Sequence, residues 1–200
     1  MTRPVHAVGM AGSDVIATVS SILGNRLTAG LSSLGPPAPV AELHDLASLP
    51  PHDPPRVTLF LYDIVEDAAV RNRAKTTDIV GSEVRIRRPP LGVSLHYMMT
   101  AWGGDRATEQ RLLGRVLQVM YDDAIIDGPE LSGELAGTTA ALRVSLCPTR
   151  LDDRARVWWA IGQPYRLSVN YEVRVVDIDA TSDLTAAPVR AATTDYRMPQ

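Results

Sequence analysis

The chain has 200 residues, 45% of them hydrophobic and 22% charged, with a net charge of −3 and a pI near 5.8. That length suits one domain with a sizeable core, and the weak acidic balance supplies no field for nucleic acid or an anionic membrane. Cys147 is the one cysteine, which excludes an internal disulfide framework, and neither a secretion signal nor an apolar run of membrane-spanning length is present, so the expectation is a soluble protein made in the cytoplasm.

Residues 1–12 are short and unpatterned and are expected to be loose. Ser13 and Asp14 then stand where a helix cap belongs, before Val15, Ile16, Val19, Ile22, Leu23 and Leu27 at three- and four-residue spacing. Gly35-Pro36-Pro37 cannot continue that helix. Seven prolines between positions 36 and 56 predict a long extended connection. Val57 to Val65 carries β-branched and aromatic residues at successive positions, the pattern of a strand covered on both faces.

The segment from Arg71 to Arg88 is polar, holds the only lysine, Lys75, and is expected to form a loop or ribbon beyond the core. On an extended ribbon Arg85 and Arg87 share a face, giving with Arg88 either a basic patch for an acidic partner or a solvated charge run. From Leu91 to Met99 apolar residues alternate with Gly92, Ser94, His96 and Met98, which predicts a strand with one apolar and one mixed face. After Gly103-Gly104, Asp105 is placed to cap a second helix whose stripe is Leu112, Leu113, Val116, Leu117 and Met120. A strand over Ala140–Leu146 and a short helix within 148–159 follow. The last strand, Ser168–Ile178, sets Val169, Tyr171, Val173 and Val175 against Ser168, Asn170, Glu172 and Arg174, so its second face is expected to meet solvent or a partner. Residues 13–180 thus form one domain and 181–200 a loose tail. The fold class is α+β, with two main amphipathic helices on a mixed or antiparallel sheet of about four to six strands.

No spacing of histidines or cysteine matches a metal site, and no nucleophile elbow or phosphate loop occurs, while Tyr121-Asp122-Asp123 is similar to the paired aspartates of polymerase sites and Asp177 and Asp179 share one side of a strand where they could hold a metal. Asp122-Asp123 ends a helix and Asp177 and Asp179 end a strand, where solvated carboxylates are ordinary. Of Trp158 and Trp159, which adjoin Arg154 and Arg156, at least one is assigned to the core, the other reading being an interface anchor. No catalytic, cofactor or metal residue is assigned and the chain is not read as an enzyme. The alternative from another class is a small α+β enzyme or ligand-binding domain using His96, Tyr97 and Asp63, and a deep pocket joining those side chains would favour it.

Four ordered blocks resemble the cap, or tail-terminator, proteins of bacterial contractile injection systems. They are Leu59-Phe60-Leu61-Tyr62 with Arg71-Asn72, the Pro89-to-Tyr97 segment, Arg111-Leu112-Leu113-Gly114, and Tyr165 to Tyr171. The resemblance implies a structural protein without chemistry, which forms a six-fold ring that ends the inner tube and holds the last sheath ring; a phage or prophage tail terminator is the alternative. It implies homo-oligomerisation and contact with sheath and tube proteins, not with nucleic acid or membrane. The interface is expected at Arg71, Asn72, Arg85, Arg87 and Arg88 of the ribbon, and at Tyr171 and Val173 of a last strand serving as docking edge.

Overall fold

The computed structural model describes residues 12–80, 83–179 and 184–186. Three helices, α1 (Val15–Leu31), α2 (Arg106–Asp122) and α3 (Leu151–Ile161), accompany nine strands: β1 (Val40–Leu43), β2 (Arg56–Glu66), β3 (Thr76–Val80), β4 (Glu83–Arg87), β5 (Leu91–Trp102), β6 (Ile125–Asp127), β7 (Ala141–Leu146), β8 (Ser168–Ile178) and β9 (Leu184–Ala186). A six-stranded sheet runs β1-β2-β5-β8-β7-β6, with β1 parallel to β2 and every other pair antiparallel, so the expected mixed α+β arrangement is present. A second sheet, β3-β4-β9, continues from the end where β2 and β8 finish and β5 begins.

The long strands sit in the middle because they alone have apolar residues for two faces. On one face of β5, Val93, Leu95, Tyr97, Met99 and Ala101 join the α1 residues Val15, Val19, Ile22, Leu23, Leu27 and Leu31 and the α2 residues Leu112, Leu113, Val116, Val119 and Met120 in the main core. On the other, Met98 and Trp102 pack with Leu46 and Trp158 in a second cluster under α3. The mixed face expected for β5 is therefore also buried.

Local chemistry explains the helix ends. Asp105 caps α2 as expected, accepting from the Thr108 N–H at 2.9 Å and its hydroxyl at 2.6 Å, after a turn in which Gly104 has φ +78°. Asp14 precedes α1 with helical dihedrals and its side chain accepts from no N–H of the first turn, so the anticipated cap is not made. Gly30 lets α1 approach α2: a Cβ there would overlap the Val119 side chain. That contact puts Val119 in the core and leaves Leu117, which the spacing assigned to the stripe, partly exposed.

Three further expectations are corrected. The proline-rich 36–56 segment contains a strand, β1, because Val40–Leu43 is free of proline and finds the open side of β2. The tail contains β9, paired with β4 from Leu184 to Ala186; the rest of 181–200, like residues 1–11, lies outside the described residues. The 71–88 ribbon is a regular hairpin, with Thr76 opposite Arg87 and Val80 opposite Glu83.

Candidate interaction surfaces

The last strand is not an edge. β8 lies between β5 and β7, so its backbone is bonded on both sides, and Tyr171 and Val173 are only 3% and 0% exposed. Its polar face, expected to meet solvent or a partner, is covered at the Ser168 end, where Ser168 Oγ accepts from the Trp158 indole of α3 at 3.4 Å, the Ser168 carbonyl accepts from Arg154 of α3 at 3.0 Å and Asn170 donates to the Tyr62 hydroxyl of β2 at 3.0 Å, while Arg174 at the other end is exposed. Short polar side chains read as a wet face because nothing in their own strand reveals the helix that satisfies them. The docking edge predicted at Tyr171 and Val173 is withdrawn on this ground.

The ribbon residues are exposed. Arg71 pairs with Glu66 at 2.6 Å and Arg73 with Asp177 at 2.7 Å, tying the root of the hairpin to the ends of β2 and β8. Asn72, Arg85, Arg87 and Arg88 all face outward, with Val84 and Ile86 half-buried on the other side of β4. Asp177 therefore serves as an ion-pair partner, and Asp123 likewise binds Arg26 at 2.7 Å. No group of three or more metal-ligating side chains occurs among the described residues.

Two open stretches of sheet edge carry apolar surface. β1 covers β2 only as far as Leu59, so among the described residues no strand lies on the outer side of Leu61–Glu66, where Ile64 and Val65 are exposed. At the far side β6 ends opposite Arg143, leaving Ser145 and Leu146 of β7 beside a groove of about 480 Å³ lined by Leu117, Met120, Tyr121 and Val144. Tyr121 is 84% exposed and Trp159, on the outside of α3, 83%, while its neighbour Trp158 is 1% exposed, dividing the pair between surface and core. The open edges escaped the sequence reading because an edge is defined by the neighbour that is missing, and that neighbour's strand was hidden among prolines.

His96, Tyr97 and Asp63 do not converge. Asp63 is opposite His96 in register, but Tyr97 points to the other face, where its hydroxyl is 2.7 Å from Ser20 Oγ. His96 packs edge-to-face on Tyr62 and lies 4.0 Å from Glu172. Burial pushes the Glu172 carboxyl up, but hydrogen bonds from Arg174 and Ser94 outweigh it and hold the group below its ordinary range. The arrangement is a structural ion cluster under a sheet, not a nucleophile beside a base.

A family model of the Pvc16 N-terminal domain matches residues 14–191, nearly the whole described chain. The chain belongs to the Pvc16 N-terminal domain family. Its fold is shared with the sheath/tube terminator of the extracellular contractile injection system PVC in its extended state, at TM-score 0.58 and 20% identity, covering 90% of this chain and 64% of that one. It is likewise shared with the tube-terminating cap of the anti-feeding prophage, at TM-score 0.58 and 20% identity over 86% of this chain and 59% of the cap. This Pvc16 N-terminal domain thus spans less than two thirds of either solved structure. No individually curated protein matches the chain. Among the described residues no helix is long and apolar enough to cross a membrane.

Proposed function

We propose that this chain is a terminator of a contractile injection particle: a ring, six-fold as in the resemblance drawn from its sequence blocks, that stops growth of the inner tube and holds the last sheath ring. The observation that carries the reading is the family match over residues 14–191 together with a fold common to two tube-terminating proteins. Its surface chemistry supports a part built to be covered. Exposed Trp159, Tyr121, Ile125 and Leu146 are apolar side chains of the kind that anchor protein interfaces. The charged ribbon offers a second, polar contact for a neighbouring subunit or a sheath protein. Assembly takes place in the cytoplasm, before any release of the particle.

Electron microscopy of particles from cells lacking this gene, beside complemented controls, tests the proposal. Tubes of uncontrolled length, or sheaths missing or detached at one end, are the expected result. Particles of normal length with intact capped ends would overturn it.

A further inference from the structure

The outer half of β2 is an open strand edge whose regularity breaks at one bulge between Leu61 and Asp63. Asp67 N–H donates to the Gly92 carbonyl at 2.9 Å, so the alternate residues Ile64 and Glu66 direct their N–H and C=O groups away from β5 into the unpaired side. The stretch Leu61–Glu66 holds no proline and no lysine, and Ile64 and Val65 are exposed. Such an edge is a template for another strand. By contrast the neighbouring edge of β1 is blunted, since Thr28 Oγ1 accepts from the Ala41 N–H at 3.0 Å.

A matching edge occurs on the same molecule. In the small sheet β4 lies between β3 and β9, so the five residues of β3 have one side unpaired among the described residues. The two edges cannot meet within one chain, because the hairpin is held back over its own β2 and β8 ends by Arg71–Glu66 and Arg73–Asp177 and by β9. β3 itself carries only Asp78, opposite Arg85, but the hairpin that presents it is basic and the chain around the β2 edge is acidic. Residues 71–88 hold 6 of the 20 basic and 2 of the 23 acidic residues, a net +4 that leaves −7 on the rest of the chain. Exposed Lys75, Arg85 and Arg88 lie on the hairpin, and exposed Asp45 and Asp63, with Asp67, flank the open half of β2.

We propose that β3 of one copy adds to the Leu61–Glu66 edge of a second copy, with Lys75, Arg85 and Arg88 meeting Asp45, Asp63 and Asp67. Donor and acceptor are different surfaces, so the contact is head-to-tail and propagates to a ring if the rotation closes. The inference rests on the terminator reading only for that closure.

Sedimentation of the purified full chain tests it. The wild type should exceed the 21.7 kDa monomer. Arg85→Glu with Arg88→Glu, and separately Asp45→Lys with Asp63→Lys, should each weaken self-association by about tenfold or more, and mixing the two variants should restore it, since each then supplies the edge the other lost. Ile64→Pro should abolish association while leaving the thermal melt near that of the wild type, because it removes only an outward N–H at an edge. A wild type that stays monomeric at high concentration, charge variants that associate like the wild type, or a mixture that stays dissociated would overturn the proposal. Capping in cells is read independently by microscopy: charge variants that still form intact capped ends would sink this interface and leave the terminator role standing.

Discussion

The six-stranded sheet and the β3-β4-β9 sheet are built by the same strand pairing, yet they are held by different forces. In the first, both faces of β5 are buried, one against α1 and α2 and the other against Leu46 and Trp158. In the second, the exposed side of β4 carries Arg85 and Arg87, the other side carries half-buried Val84 and Ile86, and two surface ion pairs, Arg71–Glu66 and Arg73–Asp177, tie its root to the body. The body is thus held by packing on both faces of a sheet, whereas the hairpin projects beyond it on strand pairing and charge.

The sharpest way to break the body is at its second core. Trp158→Ala removes the largest buried side chain beneath α3 and leaves the Ser168 hydroxyl without its indole partner, so a loss of about 3–5 kcal/mol in denaturant unfolding is expected. Trp159→Ala, one residue on but exposed, should change stability by about 0.5 kcal/mol or less. Equal effects from the two tryptophans would contradict the two-sided core.

Next in size is an alkaline effect at the main core. Burial pushes the Tyr97 phenol up to about 12 despite its hydrogen bond with Ser20. An unfolded tyrosine ionises near pH 10, so the neutral form favoured by the fold contributes fully below about pH 10 and is lost as pH rises toward 12. Urea midpoints measured across that interval should fall by the equivalent of on the order of 2–3 kcal/mol on account of Tyr97, with a further fall from Tyr171, whose phenol burial also pushes up to about 12, so Tyr97→Phe should reduce this limb without abolishing it while costing about 1 kcal/mol at neutral pH. A smaller change is expected at Gly30→Ala: the added Cβ overlaps Val119, and the two helices must shift apart at a cost of about 1–3 kcal/mol. Val119→Ala in the same chain should recover part of it.

How much of this was legible in the sequence depends on whether a residue's role is set by its neighbours in the chain or by those across the fold. The α1 and α2 stripes, the Asp105 cap and the long strands β2, β5 and β8 follow from period and from turn residues, all within a few positions. The role of β8 does not. Ser168 and Asn170 have the same alternation whether water or α3 covers them, and only the arrival of Trp158 and Arg154 decides. The exchange of Leu117 for Val119 likewise depends on Gly30, a residue 89 positions from Val119. The ribbon's charge was readable, and its pairing as a hairpin with β9 was not, because Leu184–Ala186 is too short to carry a period.

The smallest expected effect falls on the hairpin and separates the two regions most cleanly. Arg73→Ala removes the pair with Asp177, which is partly solvent-exposed, so the global unfolding transition should move by less than about 1 kcal/mol. The same change should speed tryptic cleavage after Lys75, Arg85 and Arg87 in the isolated chain, because cleavage there requires only that the small sheet detach, an opening far below the global one. If the hairpin instead shared the cooperative unit of the body, cleavage would track global stability and Arg73→Ala would leave it unchanged. Within an assembled ring those sites should become resistant in wild type and variant alike, since a strand bonded to a neighbouring subunit cannot enter a protease without first breaking that bond.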